Sequence, residues 1–125
     1  TVVGTPYTMS PEVCQNQPYS FKSDVWALGC VLYELCALQQ AWGGANLLGV
    51  VYRIVQERQP PVPEPYSDDL RQLVAQMLAK QPTSRPTLPQ ILSLRFVRAH
   101  IEGLAQAPPP ASTRAPPPPA TASTP

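Results

Sequence analysis

Four short stretches of this chain carry side chains capable of chemistry. Gly4-Thr5-Pro6 holds a hydroxyl, Glu12 follows Ser10-Pro11, Asp24 opens an apolar run containing Trp26, and Arg85 precedes Pro86. Taken singly, each reads plainly: a turn, an acid in a loop, a capped helix start with a packed tryptophan, and a basic loop residue. Cys14, Cys30 and Cys36 are odd in number and form no Cys-x-x-Cys, so neither a disulfide framework nor a structural zinc site is expected. Reduced thiols fit a cytosolic or nuclear protein. The only histidine, His100, has no partner cluster and reads as a surface residue at a helix end. No metal ligand set is expected.

Helices must position these groups. Residues 1–22, with three prolines, read as loop. Ser23-Asp24 reads as the start of a helix running to about Leu38, with a capping hydroxyl and an acid in its first turn. Its apolar residues cover more than one stripe, which predicts a helix buried at the centre of the domain. There Trp26 and Tyr33 read as packing and Glu34 as surface. A second helix is expected near Asn46–Gln56 and a proline-rich connector over Gln59–Pro65. A third helix, Asp68–Ala79, is capped by Ser67 and stopped by Pro82. A last one opens at Thr87, tolerates Pro89 in its first turn and buries Leu88, Ile91 and Leu92. No stretch alternates long enough for a strand, so the fold class is mainly α.

Composition divides the chain. Eight of its 18 prolines fall within residues 105–125, where Arg114 is the one charged residue and no aliphatic side chain exceeds alanine. Such a segment cannot bury a core, so a folded body at 1–104 and a disordered Pro/Ala/Ser/Thr-rich tail at 105–125 are expected. A net charge of +1 gives no reason to expect nucleic acid or a charged membrane surface. The longest apolar stretch, Val25–Leu38, is too short and too polar for a membrane span. The opening residues show no signal-peptide pattern. A soluble intracellular protein, and a piece of a longer one, is expected.

Order and spacing add what the single motifs lack. Gly4-Thr-Pro with Ser10-Pro-Glu12 comes first, then Lys22-Ser-Asp-Val-Trp-Ala-Leu-Gly-Cys-Val-Leu-Tyr-Glu-Leu35, then Arg85-Pro86 at the head of a late helix. Together they resemble the C-terminal, helical lobe of a eukaryotic protein kinase domain from mid-activation segment onward, with Ser10-Pro11-Glu12 at the Ala-Pro-Glu signature. Serine before Pro-Glu, and Tyr66-Ser-x-x-Leu70, resemble the NIMA-related serine/threonine kinases. Thr8 and Ala41-Trp42 depart from the family pattern, and both are expected on a peptide- or partner-facing surface.

The resemblance implies roles. Glu12 and Arg85 would pair, tying the activation segment to the late helices; a guanidinium fork matches a carboxylate. Asp24 would anchor the catalytic loop, and Trp26 would pack rather than stack on a ligand. Gly4, Thr5, Pro6 and Tyr7 would line the pocket for the substrate residue after the phosphoacceptor, with Thr5 contacting the catalytic loop. Thr1 matches the activating phosphorylation position, where a phosphate adds about −1.5 to −2 charges. Protein substrates, ATP and Mg2+ would belong to the parent kinase, in the cytoplasm, with cytoskeletal, centrosomal or ciliary settings implied and the nucleus left open.

The glycine-rich loop, the β3 lysine, the His-Arg-Asp loop and the Asp-Phe-Gly motif are absent from these 125 residues. Phosphoryl transfer depends on them and on magnesium, so this chain alone is expected to be inactive, with no ATP- or Mg2+-binding residues and no catalytic residue of its own. It supplies the substrate-side half and needs the N-terminal half of the domain. Surfaces that meet that half would be bare and prone to association. The other reading is a non-catalytic interaction module using the helical body and the tail. Pro116–Pro119 would form a polyproline II helix for an SH3- or WW-type reader, although Arg114 lacks a full R-x-x-P-x-x-P.

Overall fold

The computed structural model describes residues 6–106. A 3-10 turn, Pro6–Thr8, leads into a short helix α1 (Pro11–Cys14). The long α2 (Phe21–Ala37) follows, then α3 (Leu47–Gln56), α4 (Asp68–Met77), a 3-10 turn at Pro82–Ser84, α5 (Leu88–Ser93) and α6 (Arg95–Gln106). No strand occurs among the described residues, and none of their helices is long and apolar enough to cross a membrane.

Side-chain caps set most helix starts. The Asn46 side chain accepts from the Gly49 N–H, Ser67 from Leu70, and Thr87 closes a reciprocal pair with Gln90. The expected starts of α3, α4 and α5 stand there. The central helix begins earlier than the sequence suggests: Ser20 is its cap, and Ser23 is the third residue inside, closing the capping box from the other side. Two serines three apart suit the same motif, but the Ser23 hydroxyl is already engaged, accepting from the Ser20 N–H and donating to Glu12 Oε2. The last part of the body also differs from expectation. The helix opened by Thr87 ends at Ser93, Leu94 is extended, and α6 continues to Gln106, two residues past the composition boundary. Leu88 and Leu92 are exposed while Ile91 is buried.

Two apolar clusters flank α2. The larger gathers Trp26, Cys30, Tyr33, Trp42, Val50, Ile54, Val62, Val74 and Leu78; the smaller joins Val25, Leu73, Met77 and Ile91. Gly29 lets α4 approach: a Cβ there would lie 2.9 Å from the Met77 Cβ and 3.1 Å from the Leu78 Cδ2. Alanine at this site gains up to about 1 kcal/mol of helix propensity. Overpacking costs about 1–3 kcal/mol, so Gly29→Ala should lower the urea midpoint of the chain rather than raise it.

Burial of α2 is one-sided, against expectation. Leu28, Val31 and Leu35 remain exposed. With Leu70, Phe96 and Ile101 they line an apolar groove of about 630 Å³ between α2, α4 and α6. A helix apolar on most sides reads as buried from sequence, yet no described element covers this flank.

Candidate functional site

The described body is organised around one buried ion pair. Glu12 sits in the first turn of α1, directly after the Tyr7–Met9 segment, and Arg85 follows the Pro82–Ser84 turn. They are 4 % and 2 % exposed. The Arg85 Nη1 donates to Glu12 Oε2 and Nη2 to Oε1, both at 2.8 Å. Its remaining N–H groups go to backbone carbonyls: Nε to Ala79 (2.8 Å), Nη1 to Lys22 (2.9 Å) and Nη2 to Lys80 (3.2 Å). All five guanidinium donors are therefore satisfied. On the acid's side the Ser23 hydroxyl donates to Oε2 at 2.8 Å.

This geometry decides the acid's protonation. Burial by itself would raise the Glu12 pKa, but the Arg85 hydrogen bonds, with help from Ser23, outweigh it and hold the carboxyl at about 2. The pair stays ionised throughout the ordinary range. It ties α1, the start of α2 and the 79–85 stretch together, and the Lys22 ammonium adds a bond to the Arg85 carbonyl.

Beside the pair lies an aromatic stack. Trp26 and Trp42 are fully buried, their ring centroids 5.6 Å apart and their planes 11° from parallel. Trp26 packs, as its position in α2 suggests. Trp42 does not lie on a partner-facing surface, nor does Ala41: both are buried, because the loop after α2 folds the indole back onto Trp26. The Lys80 ammonium is 4.1 Å from the Trp42 centroid and 5.4 Å from that of Trp26. Sequence reasoning does not read Trp42 as core, and reads Lys80 only as a cation suiting the dipole at the end of the third helix. A cation five residues before Arg85, in the segment behind it, was the available signal.

Burial lowers the Lys80 pKa from 10.5 to about 8; the Arg85 charge adds to this, while the Glu57 carboxylate opposes it. Between these two pH values the folded chain binds fewer protons than the unfolded one, so this group's contribution to stability rises as pH rises from 8 to 10.5. The chain contains two tryptophans, and both face this ammonium. Their emission should therefore change with a midpoint near pH 8, and Lys80→Met should abolish the step. Cys30 stays a thiol over that range, since burial pushes it up to about 12.

The other sequence-derived residues are distributed differently. Tyr7 is half-buried and packs against the larger core cluster, one residue into the 3-10 turn that Pro6 opens. Thr8 is half-buried beside it. Asp24 is exposed in the first turn of α2, favourably placed at the positive end of the helix. His100 is exposed on α6, with Nδ1 2.7 Å from the Phe96 carbonyl. Thr1, Gly4 and Thr5 lie outside the described residues, as do Arg114 and Pro116–Pro119 of the tail.

Residues 1–97 match the protein kinase domain model. Among curated proteins, the chain is 48% identical over 102 residues to the serine/threonine-protein kinase Nek1 of Mus musculus, covering 82% of this chain and 8% of that protein. It is 45% identical over 101 residues to the mouse serine/threonine-protein kinase Nek4, covering 81% of this chain and 13% of Nek4. The probable serine/threonine-protein kinase nek3 of Dictyostelium discoideum is 48% identical over 102 residues, covering 81% and 9%. The chain thus spans about a tenth of the length of these relatives.

Proposed function

Because this chain belongs to the protein kinase domain family, we propose that its helical body is the substrate-side part of a NIMA-related serine/threonine kinase. The observation that carries the reading is the buried Glu12–Arg85 pair, which fixes the segment just after Tyr7–Met9 to the late helices. A rigid backbone next to the accepting residue of a protein substrate is what positioning catalysis needs. Tyr7, with Gly4, Thr5 and Pro6, would contact the substrate residue following the phosphoacceptor, and Thr1 would be the regulatory phosphorylation site.

ATP and Mg2+ would bind elsewhere in the parent enzyme. Among the described residues no three His, Cys, Asp or Glu side chains converge as a metal site. None of the family's ATP and Mg2+ motifs falls within these 125 residues, and the body's part is with the protein substrate. Its share is to hold the protein substrate while a catalytic loop, anchored by Asp24, does the transfer. Cytoplasmic work at cytoskeletal, centrosomal or ciliary structures is supported by the family likeness alone.

A domain exchange tests the proposal. Residues 1–104 replace the matching stretch of the mouse Nek1 kinase domain, and transfer of radiolabelled phosphate to a serine/threonine peptide is measured. We expect a soluble chimera that phosphorylates the peptide, and no transfer by the 125-residue chain alone. A soluble, folded chimera without activity, or activity from the chain alone, would overturn the reading.

A further inference from the structure

Lys80 serves two partners with its two ends. Its carbonyl accepts from Arg85 Nη2 at 3.2 Å, next to the Ala79 carbonyl that accepts from Nε at 2.8 Å. Its ammonium lies on the tryptophan stack, 4.1 Å from the Trp42 centroid, and donates to the Ile54 carbonyl of α3. The Arg85 guanidinium lies 5.0 Å from the Trp26 centroid of the same stack. One pair of stacked indoles therefore carries both cations.

The backbone at 79–80 has no helix to hold it. α4 ends at Met77, and Leu78 is its C-cap. Carbonyls beyond a helix end need an outside partner or an anchor to keep their direction. Here two of them must point at one guanidinium while its fork faces Glu12. The only side chain between Leu78 and Pro82 long and polar enough to tie this stretch to the core, apart from the exposed Gln81, is Lys80. We propose that Lys80 is a positioning residue: its ammonium, seated on the Trp26–Trp42 stack and on Ile54, fixes the Ala79 and Lys80 carbonyls that aim the Arg85 fork at Glu12. The functional weight of this device rests on the reading of the Glu12–Arg85 pair as the brace of the substrate-side segment.

The energetics fit that role. Burial disfavours the ammonium, so the charge is held against a desolvation penalty. A half-buried charge of this kind serves geometry better than stability. Methionine could fill the same apolar path, but it would make neither the cation–π contact nor the bond to Ile54. Arginine could restore a cation over the rings.

Accessibility of the Arg85 guanidinium is the direct readout. The full 125-residue chain, near neutral pH, is treated with butane-2,3-dione, and modification of each arginine is followed by peptide mass spectrometry. Arg53, half exposed, is the internal reference, and N-ethylmaleimide labelling of the buried Cys30 gauges global opening. Lys80→Met should raise the Arg85-to-Arg53 modification ratio about tenfold, the signature of a local opening, while Cys30 labelling stays at the wild-type rate. Lys80→Arg should return the ratio to the wild-type level. An unchanged ratio in Lys80→Met overturns the proposal. So does a rise of Arg85 and Cys30 labelling together, or failure of Lys80→Arg to restore protection. No nucleotide is involved, so the result is independent of whether the domain exchange yields a kinase.

Discussion

Glu12→Gln should lower the stability of this chain by about 3–5 kcal/mol, because it strands the Arg85 charge in the interior. Glutamine keeps the shape and could keep the Ser23 contact, so the loss isolates the charge. Domains of this size have about 5–15 kcal/mol in total, which makes the effect visible in any urea titration. Arg85→Met should do comparable damage from the other side. The double exchange Glu12→Arg with Arg85→Glu should recover part of what Glu12→Arg loses; no recovery would count against direct pairing. The pH dependence carries the same signature. A carboxyl held at about 2, against 4.5 when unfolded, contributes its stability fully above 4.5 and loses it as pH falls from 4.5 toward 2. Glu12→Gln should remove that acid step.

Trp42→Ala should have an effect of the same order, about 3–5 kcal/mol, the usual result of deleting a fully buried aromatic ring. Trp42 is 1 % exposed and stacked on a ring that is 0 % exposed, so no route to solvent relaxes the cavity. The Lys80 ammonium also loses its nearer ring face. Trp42→Phe, which preserves a ring for that cation, should be far milder, about 1 kcal/mol. Chemical denaturation of both variants distinguishes a core residue from a surface one. Equal, negligible losses would return Trp42 to the partner-facing surface that its sequence position suggests.

Much of the scaffold was legible in advance, for local reasons. Asn46 and Thr87 stand one residue before an apolar period and Ser67 three before Leu70, and a cap is a short-range bond that needs no tertiary partner. Where two local solutions compete, sequence cannot choose, and Ser20 displaced Ser23 at the head of α2. Burial is a different matter. Val31 and Leu35 look as inward as Trp26 in a list of residues, but which flank of α2 is covered depends on elements far away in the chain. The second terminal helix was missed because Leu94 interrupts the pattern, and α6 buries no residue fully. The pairing of Glu12 with Arg85 is not visible in any spacing; it came from the likeness of ordered motifs to one family. Lys80 and Trp42 had no such guide. Their meaning arises from a loop that doubles back, which no periodicity records.

The separation of Glu12 and Arg85 along the chain, 73 residues, has a kinetic consequence. Helices α3 and α4 draw on neighbours and caps and can form early. The ion pair requires closure of nearly the whole body, and loop-closure entropy opposes contacts of that range until most of the chain is in place. A contact missing from the folding transition state acts mainly on the rate of unfolding. The pair therefore sets how long the native state lasts more than how fast it is reached: a latch that engages last and must release first.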